Sequence, residues 1–333
     1  MTPLLTKMLQ IILSSSVLIA LVVLFRFVLL RLRCSRGAVL ALWTAVGLRL
    51  LLPFSIGSPV GVLPELISEN PGRAASSPAP GVFLPEVYNT LVLAVYLAGV
   101  LAMLIYYAVS YGKLARMVRR AESLGEGIYV TDEIDEAFLF GIFSPCIILP
   151  DGLSDFVRKA VVRHEDEHLR HGDQFWKPLA FFLLAAHWFN PLVWAAYFLF
   201  VKDLEFACDD RAAGTLPAAG RRQYAEALLL LGSSSRHGSV QTVAFGEGNV
   251  EKRILAVLSP KRPTVFLSVF SVVLAVALGV LSMLHHDPQF AVRPAPDSDS
   301  VTYVPQEDFP PANITAVPER YFDYTETPFD RGE

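Results

Sequence analysis

Four stretches of the chain, 8–30, 38–55, 89–109 and 264–284, are apolar over lengths that matter before any single residue is considered. At 1.5 Å of rise per residue each is long enough, or nearly so, to cross a hydrocarbon core of about 30 Å. They read as four membrane helices. The second is the weakest, because Arg49 lies inside it and Pro53 closes it, which puts the guanidinium near a helix end where it can snorkel to the headgroups. The first is followed by Arg31, Arg33 and Arg36 with no small-residue cleavage site, so it reads as an uncleaved anchor and not a signal peptide. A further run, 178–201, contains no Lys, Arg, Asp or Glu. Asn190-Pro191 divides it into halves of about eleven residues, a length that suits re-entrant helices better than spanning ones. A hairpin partly sunk in the cytoplasmic leaflet is expected there.

Between these runs the pattern shortens. Gly127-Ile128-Tyr129-Val130 and Cys146-Ile147-Ile148-Leu149 are β-branched and bounded by Gly, Asp and Pro, which predicts strands. Leu153-Ser154-Asp155 then offers a helix N-cap, and Val157, Ala160 and Val161 share a face with His164 and His168 by i, i+3, i+4 spacing.

Composition agrees with a membrane protein: apolar residues are 53% of the 333 positions and charged residues only 18%. Basic residues cluster at Arg31, Arg33 and Arg36, at Lys113, Arg116, Arg119 and Arg120, and at Lys252, Arg253, Lys261 and Arg262. The positive-inside rule makes all three places cytoplasmic. The expected organisation is three spans within 1–110 with an external loop at 56–88, a cytoplasmic domain at 111–262, a fourth span at 263–285 and an external tail at 286–333. Both termini are then outside. The tail is rich in Pro, Asp, Glu and Ser, too polar to bury a core, and reads as a disordered spacer; Tyr303, Phe309, Tyr321, Phe322 and Phe329 make a short recognition element its alternative. A net charge of −4 gives no reason to expect nucleic acid as a direct partner. Cys34, Cys146 and Cys208 all fall on the cytoplasmic side, where thiols stay reduced, so no disulfide is expected, and without a CxxC pair their spacing gives no sign of a cysteine-ligated metal site.

The chemistry is carried by His164-Glu165-Asp166-Glu167-His168, an HExxH pentapeptide. Two histidines four apart on a helix turn their rings to one side and can bind one zinc ion, while Glu165 can reach a water held by it and act as general base. Zinc lowers the pKa of such a water to about 7, so a carboxylate can take its proton near neutral pH. Candidates for a third ligand are Glu205, His171 and His187. Glu205 is preferred because Asp209 lies four residues on, so that one turn supplies both a ligand and an acceptor for the free ring N–H of a ligand histidine. His171 is tied to the same helix as the histidine pair. His187 lies in the apolar hairpin. Glu167 points about 100° away from His168 around the helix, and Asp173, Asp203 and Asp210 read as solvated or capping residues, with orientation of a ligand as the alternative for Asp173.

The run Arg163 to Asp173, followed by Trp188-Phe189-Asn190-Pro191-Leu192-Val193-Trp194 and by Asp203-Leu204-Glu205-Phe206-Ala207-Cys208-Asp209, resembles the BlaR/MecR family of membrane metallopeptidases. Phe140 to Pro150 resembles the segment before that family's zinc helix, and the resemblance covers about residues 1–285. It implies a mainly α protein of the bacterial cell membrane, with a gluzincin-like α+β zinc domain facing the cytoplasm between the third and fourth helices and Glu205 as third ligand. In antirepressor members an external penicillin-binding domain senses β-lactams and the zinc domain brings about cleavage of a DNA-binding repressor. This sequence departs there. The tail after 285 is too short for such a domain, and the SxxK match, Ser110-Tyr111-Gly112-Lys113, sits at the inner end of the third span as a chance occurrence. Asp166 and Glu167, where apolar residues are more ordinary, add negative charge beside the zinc.

The expected function is a zinc metalloendopeptidase that cleaves a cytoplasmic protein, such as a repressor, or itself, in signal transduction. The alternative is a non-enzymatic receptor or scaffold that keeps the fold. A homodimer is compatible with either. The topology has a direct check: a cysteine placed at residue 300 is expected to react with an impermeant thiol reagent in intact cells. Reaction only after the membrane is breached overturns the arrangement.

Overall fold

A computed structural model of the chain describes residues 3–32, 34–52, 56–58, 86–234, 247–259 and 265–286. All of them lie in one compact unit, Met1–Phe290. The external tail expected at 286–333 and most of the loop expected at 56–88 therefore fall outside the described residues.

The architecture is mostly helical. Helices α1 (Pro3–Arg31), α2 (Arg36–Leu51) and α3 (Glu86–Val118) precede a small sheet of β2 (Glu122–Gly125), β3 (Ile128–Thr131), β4 (Phe138–Phe140) and β5 (Cys146–Pro150), with β1 (Ile56–Ser58) between α2 and α3. Then come α4 (Asp155–Arg170), α5 (Asp173–Ala186), α6 (Pro191–Gly214), α7 (Ala218–Ser234), α8 (Glu247–Leu258), α9 (Val265–Met283) and β6 (Leu284–His286). The sheet order is β2-β3-β5-β4, with β3 and β5 parallel and both outer pairs antiparallel. The two expected strands are thus its centre. β1 and β6 form a separate parallel pair.

Among the described residues three helices are long and apolar enough to cross a membrane: Ile11–Arg31, Val87–Val118 and Val265–Ser282. The second expected span is shorter than its sequence run. It stops after 16 residues, about 24 Å, because the chain leaves the helix before Pro53. Its place is central nonetheless: Val39, Leu42, Trp43, Val46 and Leu50 are buried in one core with residues of α1, α5, α6 and α9. A Cβ on Gly279 of α9 would stand only 3.8 Å from Ala45, so small residues let these two helices cross closely.

The apolar run at 178–201 is broken where expected. Asn190 caps α6 by accepting the N–H of Leu192 at 2.9 Å, and Pro191 opens the helix at a position whose missing N–H costs nothing. The tip of the resulting α5–α6 hairpin is held by polar contacts. The Tyr96 hydroxyl donates to the carbonyl of Ala186 at 3.0 Å, Trp188 donates to the carbonyl of Tyr96 at 3.2 Å, and Asn190 donates to the Ser16 hydroxyl at 3.1 Å. Ser16 stands about 22 Å along α1 from its basic end at Arg31. The hairpin tip therefore packs between α1 and α3, where Ser16 and the Tyr96 backbone satisfy the polar groups that it carries.

Further along α6, Asp203, expected from the sequence to be solvated or capping, has a side chain with no exposed surface. It accepts two hydrogen bonds from Arg26 of α1, at 2.6 and 2.7 Å, and one from the Trp43 indole of α2 at 3.0 Å. Arg36 stands 3.6 Å away and lies over the Phe206 ring. Removing one partner of a buried ion pair costs about 3–5 kcal/mol, whereas an exposed pair contributes about 0–1. Asp203→Ala is therefore expected to lower the thermal unfolding midpoint strongly, and Asp155→Ala, which breaks an exposed pair with Arg158 at 2.8 Å, to change it little. Equal shifts in a melting experiment would show that the network does not hold the bundle.

Candidate metal centre

Helix α4 starts where the Ser154 hydroxyl accepts the N–H of Val157, and its buried residues Val157, Val161, His164 and His168 make one stripe. The lower part of that stripe packs on Ile147 and Leu149 of β5. Its upper part turns two imidazoles toward α6. The rings are edge to face with centroids 4.8 Å apart, and their Nε2 atoms are separated by 3.2 Å. Glu205 of α6 meets both: one carboxylate oxygen lies 3.4 Å from Nε2 of His164 and the other 3.5 Å from Nε2 of His168.

These separations test the fit of a metal. Ligand atoms about 2.0–2.1 Å from a tetrahedral zinc lie about 3.3–3.4 Å from one another. The two Nε2 atoms stand close to that spacing, and each has one of the two Glu205 oxygens near it, while a guanidinium nitrogen of Arg253 lies 3.3 Å from Nε2 of His164. Cys208, one turn after Glu205, makes a second grouping in which the sulfur and the two histidines lie within 4.8 Å of one another. That grouping is looser, and the thiol is engaged with the carbonyl of His164 at 3.1 Å.

The far nitrogens of both rings are also held. Nδ1 of His168 is 2.5 Å from Asp173, the first residue of α5. Nδ1 of His164 is 2.9 Å from the Tyr224 hydroxyl and 3.2 Å from Asp209. Tyr224 in turn donates to Asp209 at 2.9 Å, and Arg253 of α8 grips the same carboxylate at 2.6 and 3.0 Å. With Nδ1 bonded to acceptors, each ring presents Nε2 toward Glu205. Burial pushes the His168 imidazole down, but Glu205 and Asp173 reverse this and carry it up to about 10. Burial likewise pushes Asp209 up, and the Arg253 guanidinium and His164 hold it well below the usual carboxylate range. The surroundings of the two rings favour positive charge.

The remaining sequence candidates separate cleanly. Glu165 is buried beside the pair, and its charge acts on the Lys177 ammonium. Asp166 pairs with Arg170 at 2.9 Å on the helix exterior, while the Glu167 carboxylate lies 3.7 Å from His171 and 3.9 Å from Arg211, away from His164 and His168. His171 bonds the carbonyl of Glu167 and His187 the carbonyl of Leu183, so neither joins the cluster. Sequence reasoning missed Cys208, set aside for want of a CxxC pair but grouped here with both histidines, and it missed Tyr224, Arg253 and Lys177, whose ammonium donates to Glu205 at 2.9 Å. Tyr224 sits in an apolar stretch that reads as core, and Arg253 in a basic pair that reads as a topology signal.

Comparison with known proteins gives two findings. Residues 6–257, more than half of the chain, match the family Peptidase_M56, described as "BlaR1 peptidase M56". The "Regulatory protein BlaR1" of Bacillus licheniformis is 29% identical over 133 residues, which is 38% of this chain and 22% of that relative's length.

The ligand geometry makes a graded prediction. Glu205→Gln should weaken zinc retention strongly, Asp209→Asn by about 10–100-fold, and Glu167→Gln hardly at all. Cys208→Ser should also change it little. A chelator series read by metal analysis measures all four, and loss of zinc in the Cys208 variant with retention in the Glu205 variant would reverse the assignment.

Proposed function

The chain belongs to the BlaR1 peptidase M56 family, and we propose that it works as a membrane-embedded zinc metalloendopeptidase of gluzincin type. The observation that carries this reading is the convergence of His164, His168 and Glu205 at 3.2–3.5 Å. In this proposal those three residues hold the metal, which when bound supplies a Lewis acid that polarises a peptide carbonyl and lowers the pKa of a water.

The chain's own groups do the rest. Glu165, directly after the first ligand, takes the proton of the attacking water and passes it to the leaving amine. Asp173 and Asp209, the latter steadied by Tyr224 and Arg253, keep both imidazoles in the ligating orientation. Lys177 and Arg253 limit the repulsion among Glu165, Asp173, Glu205 and Asp209.

The same proposal places residues 111–262 in the cytoplasm of a bacterial cell, with 56–88 and 286–333 outside and α2 completing four spans. The clusters Lys113 to Arg120 and Lys252 to Arg262 support that orientation. The substrate is then a cytoplasmic protein. A DNA-binding repressor is the proposed class, cleaved in response to a signal received at the membrane.

Glu165→Gln is expected to retain zinc while cleavage falls about 10²–10⁴-fold. Metal analysis and comparison of cytoplasmic peptide ends in cells carrying each form check it together. If the variant leaves both the peptide ends and the downstream response unchanged, the protein acts as a receptor or scaffold and not as a peptidase.

A further inference from the structure

The turn between β4 and β5 is built to hold apolar side chains outward. Gly141 has φ +94°, and a Cβ there would stand 2.6 Å from the carbonyl oxygen of Ser144, so the turn closes tightly only around glycine. Ile142 and Phe143 occupy its apex, and Phe143 is 93% exposed. No charged residue occurs between Phe138 and Leu149. An isolated exposed leucine needs no explanation, but a rigid, uncharged turn presenting a bare phenylalanine does.

Its neighbours indicate what covers it. The turn forms one wall of a cavity of about 470 Å³, whose other walls are Tyr107 and Tyr111 of α3 and Phe182 of α5. Tyr111 stacks on Phe140 at 5.0 Å, and Tyr107 lies 5.1 Å from Phe182. The cavity is an open, mainly apolar depression, a shape that suits a flexible chain lying along it better than an enclosed small molecule.

Helix α3 continues from the cavity as an exposed apolar surface, with Tyr106 and Val109 beside it, and Lys113, Arg116, Arg119 and Arg120 come just past Tyr111. Tyrosines between an apolar span and a basic cluster occupy the depth of the headgroup boundary. We propose that this cavity is a lipid site, in which an acyl chain of a membrane phospholipid packs against Tyr107, Tyr111 and Phe182 under the inserted Ile142–Phe143 turn. The turn then anchors the sheet, and with it the start of α4, to the bilayer surface. The assignment rests on α3 spanning the membrane.

The test uses the full chain in nanodiscs of phosphatidylglycerol with plain or brominated acyl chains. Tryptophan emission added by Phe143→Trp, measured against the parent chain, should be lost in brominated lipid and resist aqueous iodide. Leu101→Trp, at an exposed position within α3, controls for the span itself. Quenching by bromine at 101 but by iodide at 143 overturns the lipid site while leaving the membrane reading intact; iodide quenching at both positions removes both. Native mass spectrometry of the solubilised parent should show retained phosphatidylglycerol, and Ser144→Trp, which fills the cavity from its rim, should lose it. Equal retention in the two would also overturn the proposal.

Discussion

A carboxylate with no exposed surface persists only where its charge is answered from every side, and Asp203 is answered by Arg26, Arg36 and the Trp43 indole. Because those partners come from α1 and α2, the position and rotation of α6 are set by the first two helices of the chain. The penalty for any other arrangement is an uncompensated ion in a core, so the arrangement is stiff. The residues further along α6 inherit that stiffness.

Two residues later comes Glu205. A helix turns about 100° per residue, so Glu205 faces nearly opposite to Asp203, while Asp209, four residues further on, returns to within about 40° of Glu205. One face of α6 therefore grips α1 and α2, and the other presents a carboxylate to Nε2 of both histidines and a second carboxylate to Nδ1 of His164. The α5–α6 hairpin adds the opposite constraint. Asp173 at the start of α5 fixes His168, and the tip is fixed among Ser16 and Tyr96 some way along α1 and α3. The HExxH helix is thus addressed from both arms of one hairpin, whose tip is held by α1 and α3 and whose second arm is held by α1 and α2.

The parts of this arrangement visible in the sequence are those written in local rules. HExxH spacing, the Ser154 cap, the Asn190-Pro191 break and the four-residue interval from Glu205 to Asp209 each depend on a few adjacent residues, and each appears in the fold. The parts that were not legible depend on distant elements meeting. Tyr224 reaches His164 across 60 positions and Arg253 reaches Asp209 across 44, and neither leaves a periodic or spacing signal. The edge strands β2 and β4 were missed for a different reason: β2 is exposed throughout and β4 is three residues long, so their pairing is defined by the central strands and not by their own patterns. The short second span is a third case. Hydropathy counted Leu52 to Ser55 with the helix, whereas the backbone had to leave it before proline.

The extent of the family match acquires a physical meaning from these contacts. It begins at residue 6, within α1, and ends at 257, four residues after Arg253. The first helix is needed because Arg26 secures Asp203, and through it the rotation of Glu205. The last matters because Arg253 supplies the two-point guanidinium contact to the buried Asp209, which otherwise has only the Tyr224 hydroxyl and the His164 ring beside it. Residues 6–257 accordingly enclose both the candidate ligands and the charges that make their burial tolerable, whereas a segment cut closely around HExxH and Glu205 would hold the candidate ligands alone. Helix α1 is as much a part of the candidate metal site as the motif that announces it.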